Sequence, residues 1–312
     1  VPAGRAVVFI ALAAVAWGTG GAVAAVLFSI SGLDAVAVSF WRFAGGAAAL
    51  AVAWPLVRSA GGPSPAARSR AVPVRAAVNG VGMAVFQTAY FAAVDRAGVA
   101  VATVVTLGAG PVLVALGARL WLGERLTRRR AAVTGLAIAG LVLLSAGGAE
   151  AGTAGGRWLS GIALSLLSAL GYAGTILLGR SLGAGRAGDP LGDTLIGLAV
   201  GAVFLLPAAV SPLPAAGGGL LPQEGDVVVT VALLAYLGLV PSALAYALFF
   251  AGLRAVTAGT ASVLALIEPL TAAVVAVTLL GERLTLAGLG GGVILLAAVV
   301  LLAVGERRAA SG

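Results

Sequence analysis

The stretch EPLTAAVVAVTLLGERLT, residues 268–285, decides the fold because most of it occurs twice in the chain. A shift of 158 residues places PVLVALGARLWLGERLT (111–127) on PLTAAVVAVTLLGERLT (269–285), and 9 of these 17 positions are identical. Composition alone could align Ala and Leu in such an apolar chain, but not Pro, Gly, Glu, Arg and Thr at one offset. The chain therefore contains an internal duplication.

The repeated unit is about half of the chain. The match continues upstream, where Arg96-Ala97 aligns with Arg254-Ala255 at the same offset. We predict two homologous halves, residues 1–152 and 153–312.

Composition indicates an integral membrane protein. Of the 312 residues, 61% are hydrophobic and 10% are charged, and the mean hydropathy is +1.11. A soluble domain carries about 25% charged residues, so this chain could not cover a water-facing surface. Cysteine and histidine are both absent, which removes thiolate chemistry and the common zinc ligands. We expect no metal site, no cofactor and no enzymatic activity.

Apolar windows of about 20 residues, the length that crosses roughly 30 Å of hydrocarbon, can be placed ten times. We number these predicted spans 1 to 10. They are residues 6–30, 34–57, 72–95, 98–121, 131–147, 157–181, 190–210, 227–253, 257–280 and 286–304. Ala22-Val23-Ala24 in span 1 resembles a signal-peptidase site, but span 6 matches span 1 in the second half, so we expect span 1 to be retained.

The distribution of arginine predicts the orientation. With a cytoplasmic N-terminus, 14 arginines fall in inside segments, 3 in outside segments (Arg96, Arg157, Arg283), and Arg42 and Arg119 lie within spans. Positive residues collect on the cytoplasmic side, so we predict both termini inside a bacterial cytoplasmic membrane. The same bias explains the pI of about 11.3 without a nucleic-acid partner.

Five spans per half is an odd number, so the second half must enter the membrane from the opposite side. The predicted fold is therefore all-α, with ten transmembrane helices arranged as two inverted-topology five-helix repeats. Such repeats can rock against each other around a site near the bilayer midplane.

Several motifs in this frame resemble the EamA-like family of the drug/metabolite transporter superfamily. They are Trp17-Gly18, Trp41-Arg42-Phe43, Pro111 with Gly123-Glu124, and Glu268-Pro269 with Gly281-Glu282. The resemblance implies a secondary transporter that exports small metabolites, amino acids or drugs by alternating access. It also implies a central cavity lined by spans 1, 3, 4, 6, 8 and 9. The first half departs from the second by having Gly110 where the second has Glu268, and span 6 has Tyr172 where Trp is common.

Glu268 is the first candidate site residue. It lies eleven residues into span 9, about 16 Å from the span's end, which is close to the midplane. A carboxylate there costs about 2.5 to 3.5 kcal/mol on insertion scales, so it needs a role or a partner. It could bind a positive group of the substrate, carry a coupled proton, or satisfy a neighbouring helix. Pro269 removes a backbone donor and could open the helix locally, as could Pro111 in span 4.

Arg42 lies eight residues into span 2, about 12 Å below the outer surface and so at nearly the depth of Glu268. A guanidinium at that depth needs an anion or a wet cavity. Three interpretations compete: a salt bridge to Glu268, a clamp on a substrate carboxylate, or an interfacial position beside Trp41.

Polar or aromatic residues at helical spacing predict cavity-facing stripes, because lipid offers no hydrogen-bond partner. Interhelical bonding is the alternative, and it is favoured for any single Ser or Thr. The predicted cavity residues are Trp17, Arg42, Asn79, Gln87, Tyr90, Thr106, Tyr172, Tyr246 and Glu268. The two Gly-Glu-Arg turns are predicted to be structural, with each Glu meeting the N-terminal dipole of the next helix.

Two rival functions remain from other classes. An intramembrane enzyme would need a nucleophile or a metal site, and Asp189 and Asp193 lack the Gly-x-Gly-Asp pattern of an intramembrane aspartyl protease. A non-transporting scaffold would not require Glu268 and Arg42 near the midplane. The expected partners are a small-molecule substrate and the lipid bilayer, and ten helices could suffice as a monomer.

Overall fold

The computed structural model describes residues 3–59, 71–97, 99–124, 127–146, 156–183, 190–210, 219–279 and 285–311. These residues form twelve α-helices and one π-helical turn. The first-half helices are α1 (Ala3–Ser31), α2 (Ala35–Ser59), α3 (Ala71–Ala97), α4 (Val99–Trp121) and α5 (Arg128–Ala146). The second-half helices are α6 (Gly156–Gly183), α7 (Pro190–Ala209), α8 (Val227–Gly238), α9 (Ala245–Leu253), α10 (Ala258–Leu264), α11 (Ile267–Leu279) and α12 (Leu286–Ser311).

Seven helical stretches in the described part of the chain are long and apolar enough to cross a membrane. They are Gly4–Ser31, Ala35–Pro55, Val101–Trp121, Leu159–Ser181, Leu191–Ala209, Val227–Leu253 and Ala258–Val275. α3 is less apolar because it contains Asn79 and Gln87, α5 opens on three arginines, and α12 has a shorter apolar stretch, Leu286–Leu302. The prediction of an all-α, multi-pass membrane protein is confirmed.

Helices of the two halves pack against one another in a symmetric pattern: the main packing pairs recur when every helix is replaced by its counterpart in the other half. α2 packs on α7 and α5 on α12, so each of these helices meets its own counterpart. The packing of α3 on α6 recurs as α9 on α1, and that of α4 on α6 recurs as α11 on α1.

Glycines allow several of these helices to approach closely. A Cβ atom on Gly140 of α5 would lie 2.7 Å from the backbone nitrogen of Leu295 and 2.9 Å from the carbonyl oxygen of Gly291, both in α12. A Cβ atom on Gly201 of α7 would lie 3.3 Å from the carbonyl oxygen of Gly80 in α3. In lipid, where burial of apolar surface adds little between helices, such backbone contact contributes much of the packing.

One end of the bundle gathers parts of both halves. A Cβ atom on Gly252, at the end of α9, would lie 2.7 Å from the carbonyl oxygen of Ala6, near the start of α1. Glu124, after α4, and Arg180, near the end of α6, meet at the same end beside Ala258. We call this the Arg180 end.

The opposite end is marked by Trp41, whose Nε1 donates a hydrogen bond to the Leu220 carbonyl oxygen at 2.8 Å. Here Gly161, near the start of α6, packs on Ala97, the last residue of α3. We call this the Trp41 end. α1 therefore begins at the Arg180 end and α6 begins at the Trp41 end.

Two of the predicted spans are interrupted. Span 8 consists of α8, the π-helical turn Leu239–Leu244 and α9. Pro241 in this turn has no N–H to donate, and the Ser242 hydroxyl donates to the Leu237 carbonyl oxygen at 2.7 Å. Span 9 is divided at Ala265–Leu266 into α10 and α11, and the Glu268 N–H donates to the Ala265 carbonyl oxygen at 2.9 Å.

The predicted break at Pro111 is wrong, because α4 runs through Pro111 without interruption. A proline removes one hydrogen bond from a helix interior, and membrane helices tolerate that loss when neighbouring helices support the segment. Pro269 instead lies in the first turn of α11, where its missing N–H would have had no partner within the helix. The break therefore precedes Pro269.

Candidate substrate-binding site

Arg42 is buried inside the bundle, with 8% of its surface exposed. Its guanidinium donates to the Gln87 side-chain oxygen at 3.3 Å and, more weakly, to the Ser242 hydroxyl oxygen at 3.5 Å. α2, α3 and the π-helical turn each contribute one member of this group. The interfacial alternative is not observed, since neighbouring Trp41 bonds to Leu220 while Arg42 turns inward.

Glu268 follows the break between α10 and α11 and is half-buried. It lies within electrostatic range of Arg42 and of three of the predicted tyrosines, Tyr90, Tyr172 and Tyr246. Among the residues that the structure describes, Arg42 and Glu268 form no direct ion pair. The Glu268 carboxylate and the Arg42 guanidinium therefore interact through space without direct contact.

Aromatic rings surround these charges. The Trp17 ring lies 5.1 Å from that of Tyr246 and 5.1 Å from that of Phe249, measured between centroids. Tyr246 stacks on Phe250 at 6.0 Å with an interplanar angle of 19°. The Trp17 Nε1 atom is buried and has no hydrogen-bond partner. An unpaired buried donor is costly, so this N–H is available to a ligand or a water molecule.

Two glycines shape the site. A Cβ atom on Gly18 would lie 2.6 Å from the Glu268 carbonyl oxygen, so α1 reaches the backbone of α11 closely. A Cβ atom on Gly110, the counterpart of Glu268 in the first half, would lie 2.8 Å from the Tyr172 ring. The ring of Tyr172 occupies the space that a side chain at position 110 would need, so a carboxylate there would clash with the ring as it is placed.

Three of the predicted cavity residues form side-chain hydrogen bonds to a neighbouring helix or within their own helix. The Tyr90 hydroxyl bonds to that of Thr103 at 2.7 Å, and Thr106 donates to the Ser165 carbonyl oxygen at 3.1 Å. The Asn79 Nδ2 atom donates to the Met83 sulfur at 3.9 Å, and its Oδ1 atom is buried without a partner.

Sequence reasoning did not include Ser242, Phe249 and Phe250 in the predicted site. The preceding Pro241, which lacks a backbone N–H, could have marked Ser242. Phe249 and Phe250 follow Tyr246 at helical spacings of three and four residues, which places them on its side of α9.

A cavity of about 30 Å³ lies toward the Arg180 end, between α4, α5, α10 and α12. That volume has room for one or two water molecules. The cavity is lined by Pro111, Ala115, Ala118, Glu124, Arg130, Thr134, Thr257, Gly259, Thr260 and Leu302. Around Trp17, by contrast, the aromatic rings pack on one another.

The arrangement brings together a buried cation, a separate carboxylate and a set of aromatic rings in an apolar bundle. These groups suit recognition of a small dipolar molecule, with each charge free to meet a complementary group. A profile of the EamA-like transporter family matches the chain twice, over residues 4–146 and 159–304. The chain belongs to the EamA-like transporter family. The resemblance read from the sequence motifs, to this family within the drug/metabolite transporter superfamily, is thereby confirmed.

Curated relatives of this EamA-like protein carry transporter names. The uncharacterized transporter YwfM of Bacillus subtilis (strain 168) is 28% identical over 297 residues, which cover 89% of this chain and 86% of YwfM. An uncharacterized transporter of Archaeoglobus fulgidus is 30% identical over 225 residues, covering 71% of this chain and 74% of its own. This EamA-like protein is a membrane transporter.

A solved crystal structure shares the fold. It superposes with a TM-score of 0.76, covers 97% of this chain and 98% of its own, and is 18% identical in sequence. At this identity the similarity concerns the arrangement of the helices in this EamA-like protein and not its substrate.

Proposed function

We propose that this EamA-like transporter is a secondary active transporter that exports a small dipolar metabolite, amino acid or drug from the bacterial cytoplasm. The observation that carries the proposal is the cluster of Arg42, Glu268 and aromatic side chains, in which the two charges lie within electrostatic range of each other without forming an ion pair. A substrate with one negative and one positive group would bind Arg42 through the first and Glu268 through the second. Trp17 would add a hydrogen bond, and the other rings would hold an apolar part.

The proposed mechanism is alternating access by two inverted repeats, residues 1–152 and 153–312, with five membrane-crossing segments each. The exchange symmetry of the helix contacts supports two related halves. Inversion is supported by α1 beginning at the Arg180 end while α6 begins at the Trp41 end. The boundary near residue 152 lies outside the described residues. In this proposal one chain suffices, since its own helices supply every member of the cluster.

The Arg180 end is proposed to face the cytoplasm, with both termini. The arginine distribution supports this orientation, since Arg128, Arg129 and Arg130 follow Glu124 at that end. The natural absence of cysteine permits a direct test. Thr127→Cys and Glu224→Cys place exposed thiols at the Arg180 and Trp41 ends. A membrane-impermeant maleimide added to intact cells should label Glu224→Cys and not Thr127→Cys, and the opposite result would reverse the orientation.

Transport itself is tested with purified protein in proteoliposomes preloaded with single solutes. Amino acids, organic cations, organic anions and neutral sugars form the panel, and counterflow of the labelled solute is measured. We expect saturable counterflow of solutes that carry both charges, with weaker counterflow of those that carry one. Counterflow of sugars alone would contradict the assignment of Arg42 and Glu268. If no solute in any class moved while the protein stayed folded, the scaffold or enzyme alternative would be favoured.

Proton coupling is proposed to use Glu268, which combines partial exposure with a position beside the break in span 9. The alternatives, substrate binding by Glu268 without proton transfer or a purely structural role, are separated by the Glu268→Gln variant described in the Discussion.

A further inference from the structure

The turn between α9 and α10 is held by two side chains from other helices. Both Glu124 carboxylate oxygens accept from the Ala258 N–H at 3.2 Å. The Arg180 Nη1 atom donates to the carbonyl oxygens of Leu253 at 3.3 Å and Arg254 at 2.7 Å. Glu124 and Arg180 also pair with each other at 3.5 Å. One acidic and one basic side chain thus satisfy backbone groups on both sides of this turn.

The expected partner of Glu124 was the next helix, α5, and that prediction is wrong. The carboxylate reaches the start of α10, which belongs to the other half of the chain. Its counterpart in the second Gly-Glu-Arg turn, Glu282, lies outside the described residues. The Glu124 interaction therefore connects the two repeats, because the helix start that it stabilises belongs to the other half.

Residues 245–264 form a helical hairpin, α9–turn–α10, that is joined to the rest of the chain by two irregular segments. The π-helical turn Leu239–Leu244 precedes the hairpin, and the break at Ala265–Leu266 follows it. Regular α-helical hydrogen bonding lapses at both segments, and such segments are common sites of hinge motion. The counterpart region of the first half has no such interruption within α3 or α4.

The hairpin also carries part of the candidate site. Tyr246, Phe249 and Phe250 lie on α9, and Glu268 follows the second irregular segment. Gly179, next to Arg180, is in close contact with Phe250, since a Cβ atom on Gly179 would lie 2.7 Å from the ring. Displacing the hairpin would therefore move the rings that cover the site.

Packing of the hairpin against α4 is incomplete at the Arg180 end. The 30 Å³ cavity lies directly behind the hairpin, lined by Thr257, Gly259 and Thr260 of the hairpin and by Ala115 and Ala118 of α4. Glu124 and Arg180 are partly exposed, at 18% and 22%, so water can replace their contacts.

α1, the counterpart of α6, has no basic residue after Arg5, so the same arrangement cannot recur at the Trp41 end.

We propose that Glu124 and Arg180 are a latch that keeps the α9–α10 hairpin closed at the Arg180 end, and that its release lets the hairpin swing about residues 239–244 and 265–266 to open the site. The proposal rests on the proposed function only in taking the uncovered cluster to be the transport site. The latch itself is a property of the fold and can be tested without a substrate.

The test is thiol accessibility in the naturally cysteine-free chain. Ser262→Cys places a near-isosteric thiol on α10 at a position with 0% exposure. Its rate of reaction with a small charged methanethiosulfonate, in detergent-solubilised protein, reports hairpin opening. Ser39→Cys, also fully buried but on α2, is the matched reporter outside the hairpin.

Three latch variants are combined with each reporter, and Glu224→Gln, which removes an exposed carboxylate at the Trp41 end, is the control. We expect Glu124→Ala to raise the labelling rate of Ser262→Cys about tenfold, because it loses charge-assisted hydrogen bonds to Ala258 and Arg180. Glu124→Gln keeps an acceptor for Ala258, so a rise of about threefold is expected from the lost ion pair alone. Arg180→Gln should raise the rate by a factor similar to that for Glu124→Ala.

Unchanged labelling of Ser262→Cys in monodisperse, helical Glu124→Ala and Arg180→Gln proteins would overturn the proposal. An equal rise at Ser39→Cys would also overturn it, because that result indicates general loosening. The transport assay is scored separately. Latch variants that open the hairpin in a protein moving none of the solutes would retain the latch and reject the proposed substrate class.

Discussion

Arg42 and Glu268 belong to one buried cluster and lie within electrostatic range of each other. Arg42 nevertheless donates its side-chain hydrogen bonds to the neutral oxygens of Gln87 and Ser242. A salt bridge between the two would have been the simplest way to stabilise both charges in a membrane. Its absence in a bundle otherwise rich in close contacts leaves each charge able to bind a further partner. The proposed binding of a substrate that carries both charges follows from the absence of this salt bridge.

Arg42→Lys keeps the positive charge but loses the planar guanidinium. We expect the KM for a carboxylate-bearing substrate to rise about tenfold, since one charge-assisted hydrogen bond is lost. Arg129→Lys, at an exposed position of α5, is the matched control and should leave the KM unchanged. An unaltered KM in folded Arg42→Lys would exclude a carboxylate clamp.

Glu268→Gln removes the charge and retains the shape of the side chain. We expect uptake driven by a pH gradient to be abolished, because Gln cannot carry the proton. Counterflow of the solute should continue with a raised KM, because exchange needs no net proton movement but Gln offers no charge to the positive group of the substrate. Rates are measured in proteoliposomes across external pH, with exposed Glu224→Gln as control. Loss of both activities would assign Glu268 to substrate binding, and an unchanged pH profile would leave it a structural role.

Trp17→Phe removes the unpaired indole N–H and keeps an aromatic ring against Tyr246 and Phe249. We expect the KM to rise about fivefold, the effect of one lost hydrogen bond of about 1 kcal/mol, with an unchanged or higher Tm. Trp121→Phe, at a position with 59% exposure on α4, is the control. A fall in Tm without a change in KM would mean that Trp17 acts through packing alone.

Gly140→Ala and Gly135→Ala test the helix contacts on one element, α5. The first places a Cβ atom against the backbone of α12, whereas the second meets nothing within 4 Å. We expect Gly140→Ala to destabilise the protein by about 1 kcal/mol or more, and Gly135→Ala to be neutral or stabilising because Ala favours a helix. Thermal unfolding in detergent measures both. Equal Tm values would show that α5 and α12 are not closely packed in solution.

Much of the architecture was accessible from the sequence, because lipid imposes simple rules. Apolar length predicted membrane helices, and the repeated Pro-to-Gly-Glu segments predicted two halves and the family. Glu268 and Arg42 were found for the same reason, since charges in an apolar stretch are conspicuous. The interruption at Pro241 was not predicted. The break expected at Pro269 lies three residues earlier, at Ala265–Leu266, and Pro111 was expected to break a helix that continues. A proline's effect depends on whether neighbouring helices support the backbone around it, and a single segment does not contain that information.

The sequence by itself determined that this protein is a duplicated membrane protein, since hydropathy and the 158-residue repeat are properties of the chain alone. Only the tertiary structure decided that Arg42 bonds Gln87 and Ser242 instead of Glu268, that Tyr172 fills the space at Gly110, and that Glu124 crosses to α10 of the other half. These contacts join residues far apart in sequence, from 45 positions for Arg42 and Gln87 to 200 for Arg42 and Ser242. They depend on which helix faces come together in lipid, where packing shape and hydrogen bonding select among many apolar faces of nearly equal hydrophobicity.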